Sequence, residues 1–139
     1  MKKKIIKLVI LILWITFMFF LSNQTGIASS KQSDKLVNIS NKLLSVDKKV
    51  LVIIIRKAAH IVEYLILFAL IFINFYEYKK KNIYTFSFIF SLIYAIFDEL
   101  HQTFIYERSG CITDVIIDFV GITFGLLIIK IFYRHDKNF

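Results

Sequence analysis

The chain has 139 residues, a formal net charge of +8, no proline and 58% hydrophobic residues, with a mean hydropathy of +0.67. A soluble domain of this size has too little polar surface to cover so many Phe, Ile and Leu side chains, which excludes an ordinary globular enzyme. The basic residues fall mostly between apolar blocks, which suits anionic lipid headgroups and speaks against nucleic-acid binding. A single cysteine, Cys111, excludes an intramolecular disulfide and a thiolate metal cluster.

The first apolar block runs from about Ile5 to Leu21, behind Lys2, Lys3, Lys4 and Lys7. It is longer than a signal-peptide core of roughly 7–15 residues, and Gly26-Ile27-Ala28 is a poor cleavage site. An uncleaved membrane anchor is the expected reading. Residues 22–50 are polar and lysine-rich. Within them Leu36, Ile39, Leu43, Leu44 and Val46 recur at helical spacing, while Lys35, Lys42 and Lys49 mark another face. That pattern predicts an amphipathic helix, either flat in the headgroup region or packed on the bundle. Asn38-Ile39-Ser40 fits a glycosylation sequon too short to carry weight.

Three more apolar blocks follow, at about 50–75, 83–104 and 112–133. Each is close to the ~20 residues needed to cross the hydrocarbon as helix, and helix satisfies backbone polar groups in lipid. The fold class expected is all-α, an integral membrane four-helix bundle formed as one domain over residues 1–139. Lys79, Lys80 and Lys81 and the basic C-terminus, Arg134-His135-Asp136-Lys137, fall on the same side as the N-terminal lysines. The positive-inside rule then puts both termini in the cytoplasm of a multi-pass cell-membrane protein. Lys48, Lys49, Arg56 and Lys57 pull the other way.

The spans carry side chains that lipid does not tolerate. Arg56, Lys57, His60 and Glu63 lie in the second, Asp98, Glu99, His101 and Gln102 end the third, and Asp114 and Asp118 begin the fourth. Each charge costs on the order of 2.5–3.5 kcal/mol at a helix centre. At about 100° per residue, Arg56, His60, Glu63 and Leu67 share a face. Tyr94, Asp98, His101 and Gln102 share another, with Glu99 a quarter-turn away. Asp114, Asp118, Gly121 and Gly125 share a third. These stripes predict one polar pocket in the outer half of the membrane, with Arg108 above it and more acids than fixed cations within it.

Several readings of that pocket stay open. Interhelical glue would pair Arg56 with Asp114 or Asp118, and His60 with Asp98. His60-x-x-Glu63 and Asp98-x-x-His101 offer metal-ligand pairs at i, i+3. His60, Asp98 and His101 are candidates for general acid–base catalysis on an envelope lipid. A binding site without chemistry would use Arg56, Lys57 and Arg108 as anion partners. It would use His60, Glu63, Asp98, Glu99, His101, Gln102, Asp114 and Asp118 to orient polar groups. No cofactor is implied. Gly121 and Gly125 form a small-xxx-small pattern for close helix packing, and Tyr64, Tyr94, Tyr106 and Tyr133 are expected interface anchors.

Three ordered stretches carry a resemblance. They are Arg56-Lys57-Ala58-Ala59-His60-Ile61-Val62-Glu63-Tyr64, then Tyr94-Ala95-Ile96-Phe97-Asp98-Glu99-Leu100-His101-Gln102, then Arg108-Ser109-Gly110 with Asp114-Val115-Ile116-Ile117-Asp118 and Gly121. With Ser22-Asn23-Gln24, Ser30 and Ser33 after the first span, the chain resembles the VanZ family of membrane proteins over nearly its whole length. It departs from the family at Ile105-Tyr106-Glu107, where a turn with proline and glycine is expected. The resemblance implies a link to low-level resistance against glycopeptide antibiotics, notably lipidated teicoplanin. The outward polar pocket is expected to engage an envelope lipid or peptidoglycan precursor.

Overall fold

In a computed structural model, the described residues are 2–25, 31, 48–76, 82–106, 108 and 110–133. The amphipathic segment, the sequon, the Lys79–Lys81 cluster and the basic C-terminus fall outside them. Four helices account for most of the described chain: α1 (Lys2–Ser22), α2 (Lys48–Tyr76), α3 (Ile83–Gln102) and α4 (Ile112–Phe132). All four are long and apolar enough to cross a membrane. Ile6, Leu13, Phe20, Ile93, Phe97, Ile131 and many other large apolar side chains are exposed along them. That surface is unsuited to water and suited to acyl chains.

The tightest pairing is α2 with α4, and two glycines explain it. A Cβ on Gly121 would collide with the Ile61 carbonyl oxygen, and one on Gly125 would lie 3.0 Å from that of Leu65. Removing the side chain lets the backbones approach, as in other membrane helix pairs. Both contacts carry the same residue offset, so α2 and α4 run parallel in a fixed register. That register sets His60 beside Asp118.

α3 lies against both α2 and α4. It buries Ile83, Ser87, Ser91, Ala95, Asp98, Glu99 and Gln102, a stripe recurring every three or four residues and small along much of its length. The Ser91 hydroxyl bonds back to the Ser87 carbonyl (2.8 Å), so its polarity is met inside the helix. The helix starts after Asn82, which takes a left-handed backbone (φ 60°) that Asn tolerates better than most residues. α1 is the outlying helix. It touches α2 and, more sparsely, α3. Trp14 Nε1 donates to the Glu63 carbonyl (3.3 Å), and Asn74 Nδ2 to the Lys7 carbonyl (3.2 Å), so α1 runs antiparallel to α2.

The core holds Tyr64, Leu67, Phe68, Phe72, Ile83 and Ile122, all fully buried. Tyr64 therefore is not an interface anchor as expected. It lies in the α2 register that faces inward, 6.3 Å from the Tyr94 ring. The Tyr133 and Tyr76 rings meet edge-on at the far end, centroids 5.0 Å apart, while Tyr106 is exposed.

Candidate functional site

Four helix ends meet at one end of the bundle: the C-termini of α1 and α3 and the N-termini of α2 and α4. A cavity of about 220 Å³ opens there, lined by Ile53, Arg56, Lys57, His60, Gln102, Arg108, Asp114 and Ile117. Pockets for drug-sized ligands run roughly 300–1,000 Å³, so this one has room only for a small polar group. Among the described residues, its wall contains three fixed cations and one carboxylate, Asp114. Among the described residues, the acid surplus expected from the sequence is therefore not in the wall. Asp98, Glu99 and Asp118 lie among the buried residues.

Arg108 ties the cavity together. One terminal nitrogen donates to the Ser22 carbonyl (3.0 Å) and the other to that of Leu21 (3.4 Å). These are carbonyls of the last turn of α1, that of Leu21 also accepting the Gln24 N–H (3.3 Å), and a cation there suits the α1 dipole. Burial and the neighbouring Arg56 guanidinium both push the Arg108 guanidinium down from its ordinary value. Two guanidiniums crowded at one cavity form a field that an anion relieves.

The buried layer has its own order. His60 Nδ1 and Asp118 Oδ1 lie 3.1 Å apart. His60 thus pairs with Asp118 and not, as the glue reading had it, with Asp98, because the glycine-set register of α2 on α4 decides the partner. Asp98 Oδ2 instead accepts from Gln102 Nε2 (3.0 Å), one turn along α3. Glu99 Oε2 accepts the Cys111 N–H (3.0 Å), so a carboxylate sits at the start of α4, where the helix dipole favours it. Gly110 permits this junction, since a Cβ there would meet the Glu99 carbonyl and lie 2.6 Å from the Thr103 methyl.

The predicted site residues thus divide. Arg56, Lys57, His60, Gln102, Arg108 and Asp114 line the cavity, with Lys57 exposed at its rim and Arg56 half-buried. Asp118 pairs with His60 behind the wall. Glu63 is half-buried below. His101 turns towards α1, where its ring stacks on Phe19 at 5.1 Å. It shares with Asp98 a separate crevice between α1 and α3. The metal-ligand set expected from spacing, His60, Glu63, Asp98 and His101, does not converge. Donor atoms of His60, Glu99 and Asp118 do, all within 4.8 Å of one another. Glu99 was set a quarter-turn off the α3 stripe by spacing alone. It is buried because α3 is covered by two helices and not one.

The model of the VanZ/LLP1 family matches residues 7–133. The chain belongs to the VanZ/LLP1 family. No curated protein and no solved structure gave a match. The matched range takes in every residue of the cavity wall and of the buried layer in this VanZ/LLP1 protein. The loop departure at residue 105 is accommodated without proline or glycine, because the Arg108 N–H closes a turn onto the Ile105 carbonyl (3.1 Å).

Proposed function

We propose that this VanZ/LLP1-family protein holds an anionic headgroup of a cell-envelope lipid or peptidoglycan precursor in the polar cavity, and thereby lessens the action of lipidated glycopeptides such as teicoplanin. One observation carries the reading: Arg56, Lys57 and Arg108 converge on a headgroup-sized cavity whose wall, among the described residues, has Asp114 as its one carboxylate. Guanidinium forks match phosphate oxygens in charge and geometry. With both termini in the cytoplasm, as the lysine distribution favours, the cavity opens on the outer face, where such precursors and the antibiotic meet.

The test is the teicoplanin inhibitory concentration of a susceptible bacterium expressing the protein, with Arg56→Gln and Arg108→Gln variants at matched membrane levels. The wild type is expected to raise the concentration several-fold and both variants to return it to the host value. An unchanged concentration with the wild type, or full protection by both variants, overturns the proposal.

A second reading rests on the His60–Asp118 pair. An imidazole at a cavity wall, oriented by a fully buried carboxylate, has the geometry of a general base and its orienting group. In that reading the protein is a membrane hydrolase or transferase acting on the same headgroup. A lipid product lost in both His60→Ala and Asp118→Asn would favour it.

A further inference from the structure

We infer that His60, Glu99 and Asp118 form a divalent-cation site behind the cavity wall, one donor from each of α2, α3 and α4. The site goes beyond the headgroup reading and does not rest on it, because metal binding is read without lipid.

The first observation is convergence. The three donor atoms lie within 4.8 Å of one another, and His60 Nδ1 and Asp118 Oδ1 are already 3.1 Å apart. Zinc bonds of about 2.0–2.2 Å to N and O place tetrahedral donors about 3.3–3.6 Å from each other. Side-chain movements of about an ångström therefore close the set.

The second observation is independent and concerns unmet polar atoms. Asp118 is fully buried and Glu99 is 4% exposed, yet Asp118 Oδ2 and Glu99 Oε1 have no hydrogen-bond partner among the described residues. A buried acceptor left without a partner costs about 1–3 kcal/mol, and more if charged. The Cys111 N–H uses only Glu99 Oε2, and His60 faces only Asp118 Oδ1. One free oxygen on each carboxylate is what a shared cation requires.

Charge and chemistry then narrow the occupant. Two buried carboxylates and a neutral imidazole balance one divalent ion. A set of one nitrogen and two oxygens without a thiolate suits Zn²⁺ or Mn²⁺. The register of α2 on α4 fixes His60 and Asp118, and the Cys111 N–H holds Glu99, so the donors are oriented by the fold. Three protein ligands leave a further position for water or for a group entering the cavity that His60 lines.

The experiment is isothermal titration of ZnCl₂, and separately MnCl₂, into the purified full-length protein in neutral detergent after chelator treatment. One ion per chain is expected. Asp118→Asn, Glu99→Gln and His60→Gln should each weaken binding by more than about a hundredfold, beyond the 10–100-fold typical of outer-shell changes. Glu63→Gln, which alters a nearby acid outside the set, should leave it within a few-fold. A melting curve of each variant in chelator checks the fold, and if one variant does not fold the other two decide. No stoichiometric ion in the wild type, or equal affinity in the folded variants, overturns the site. Neither result touches the antibiotic assay of Arg56→Gln and Arg108→Gln, so the two proposals fail separately.

Discussion

The two ends of the bundle are built on opposite terms, though α2 runs through both. At the far end the Phe72 ring centroid lies 5.0 Å from that of Tyr84 and 5.2 Å from that of Tyr133, and the Lys130 ammonium sits 5.9 Å from the Tyr84 ring centroid. These rings meet at tilted or edge geometries, which their quadrupoles favour. At the cavity end, Ser22 Oγ, Glu99 Oε1, His101 Nε2, Arg108 Nε and Asp118 Oδ2 are buried without a hydrogen-bond partner among the described residues. A bundle gains nothing in stability from such atoms. The aromatic end holds the helices together, and the polar end gives up part of that stability for a site.

That contrast breaks most severely where the two ends share a scaffold. Gly121→Leu forces a side chain into the Ile61 backbone, and a backbone carbonyl cannot rotate away as a side chain can. Overpacking costs about 1–3 kcal/mol, occasionally more, and this contact should sit at or above the top of that range. Thermal melts in detergent should show it, together with loss of teicoplanin protection at matched expression. A variant with normal melting would mean that the glycine contact does not set the α2–α4 register. Phe72→Ala comes next. Deleting a fully buried ring costs about 3–5 kcal/mol in soluble cores. The penalty should be smaller here, about 2–3 kcal/mol, because helices in lipid gain packing and little hydrophobic transfer. Protection at matched protein level should persist, and its loss would couple the two ends.

The sequence made the architecture legible because lipid imposes it. Four apolar blocks near span length leave few alternatives to four helices. The inward facing of Asp98 and Asp118 was legible for the same reason, since ionisable groups inside spans must face protein or water. Their partners were not, because spacing on one helix says which face a residue occupies and nothing about the register of its neighbour. His60 found Asp118 through Gly121 seated on Ile61, a contact between residues far apart in the chain. Glu99 was placed off the stripe because a single-face pattern cannot show that α3 is covered on two sides. Spacing groups His101 with Asp98 and Gln102; it keeps Asp98 beside it in one crevice, but α1, whose sequence offers almost no polar pattern, draws its ring onto Phe19, and it does not line the cavity that Gln102 lines.

The finest distinction lies within the polar end, between two adjacent cations. Arg56 is half-buried in the wall, whereas Lys57 is exposed at the rim. A rim charge steers an anion from a distance and is screened over about 3 Å at 1 M salt, against about 10 Å at 0.1 M. A cation in the wall meets the anion directly and is screened far less. Lys57→Ala should therefore weaken binding of a short-chain anionic phospholipid to the purified protein less than about tenfold at low salt, and scarcely at 1 M salt. Melting should be unchanged. Arg56→Ala should weaken it more, at both salt concentrations. Equal, salt-independent losses from the two substitutions would place Lys57 in direct contact with the headgroup and move the recognition site outward to the rim.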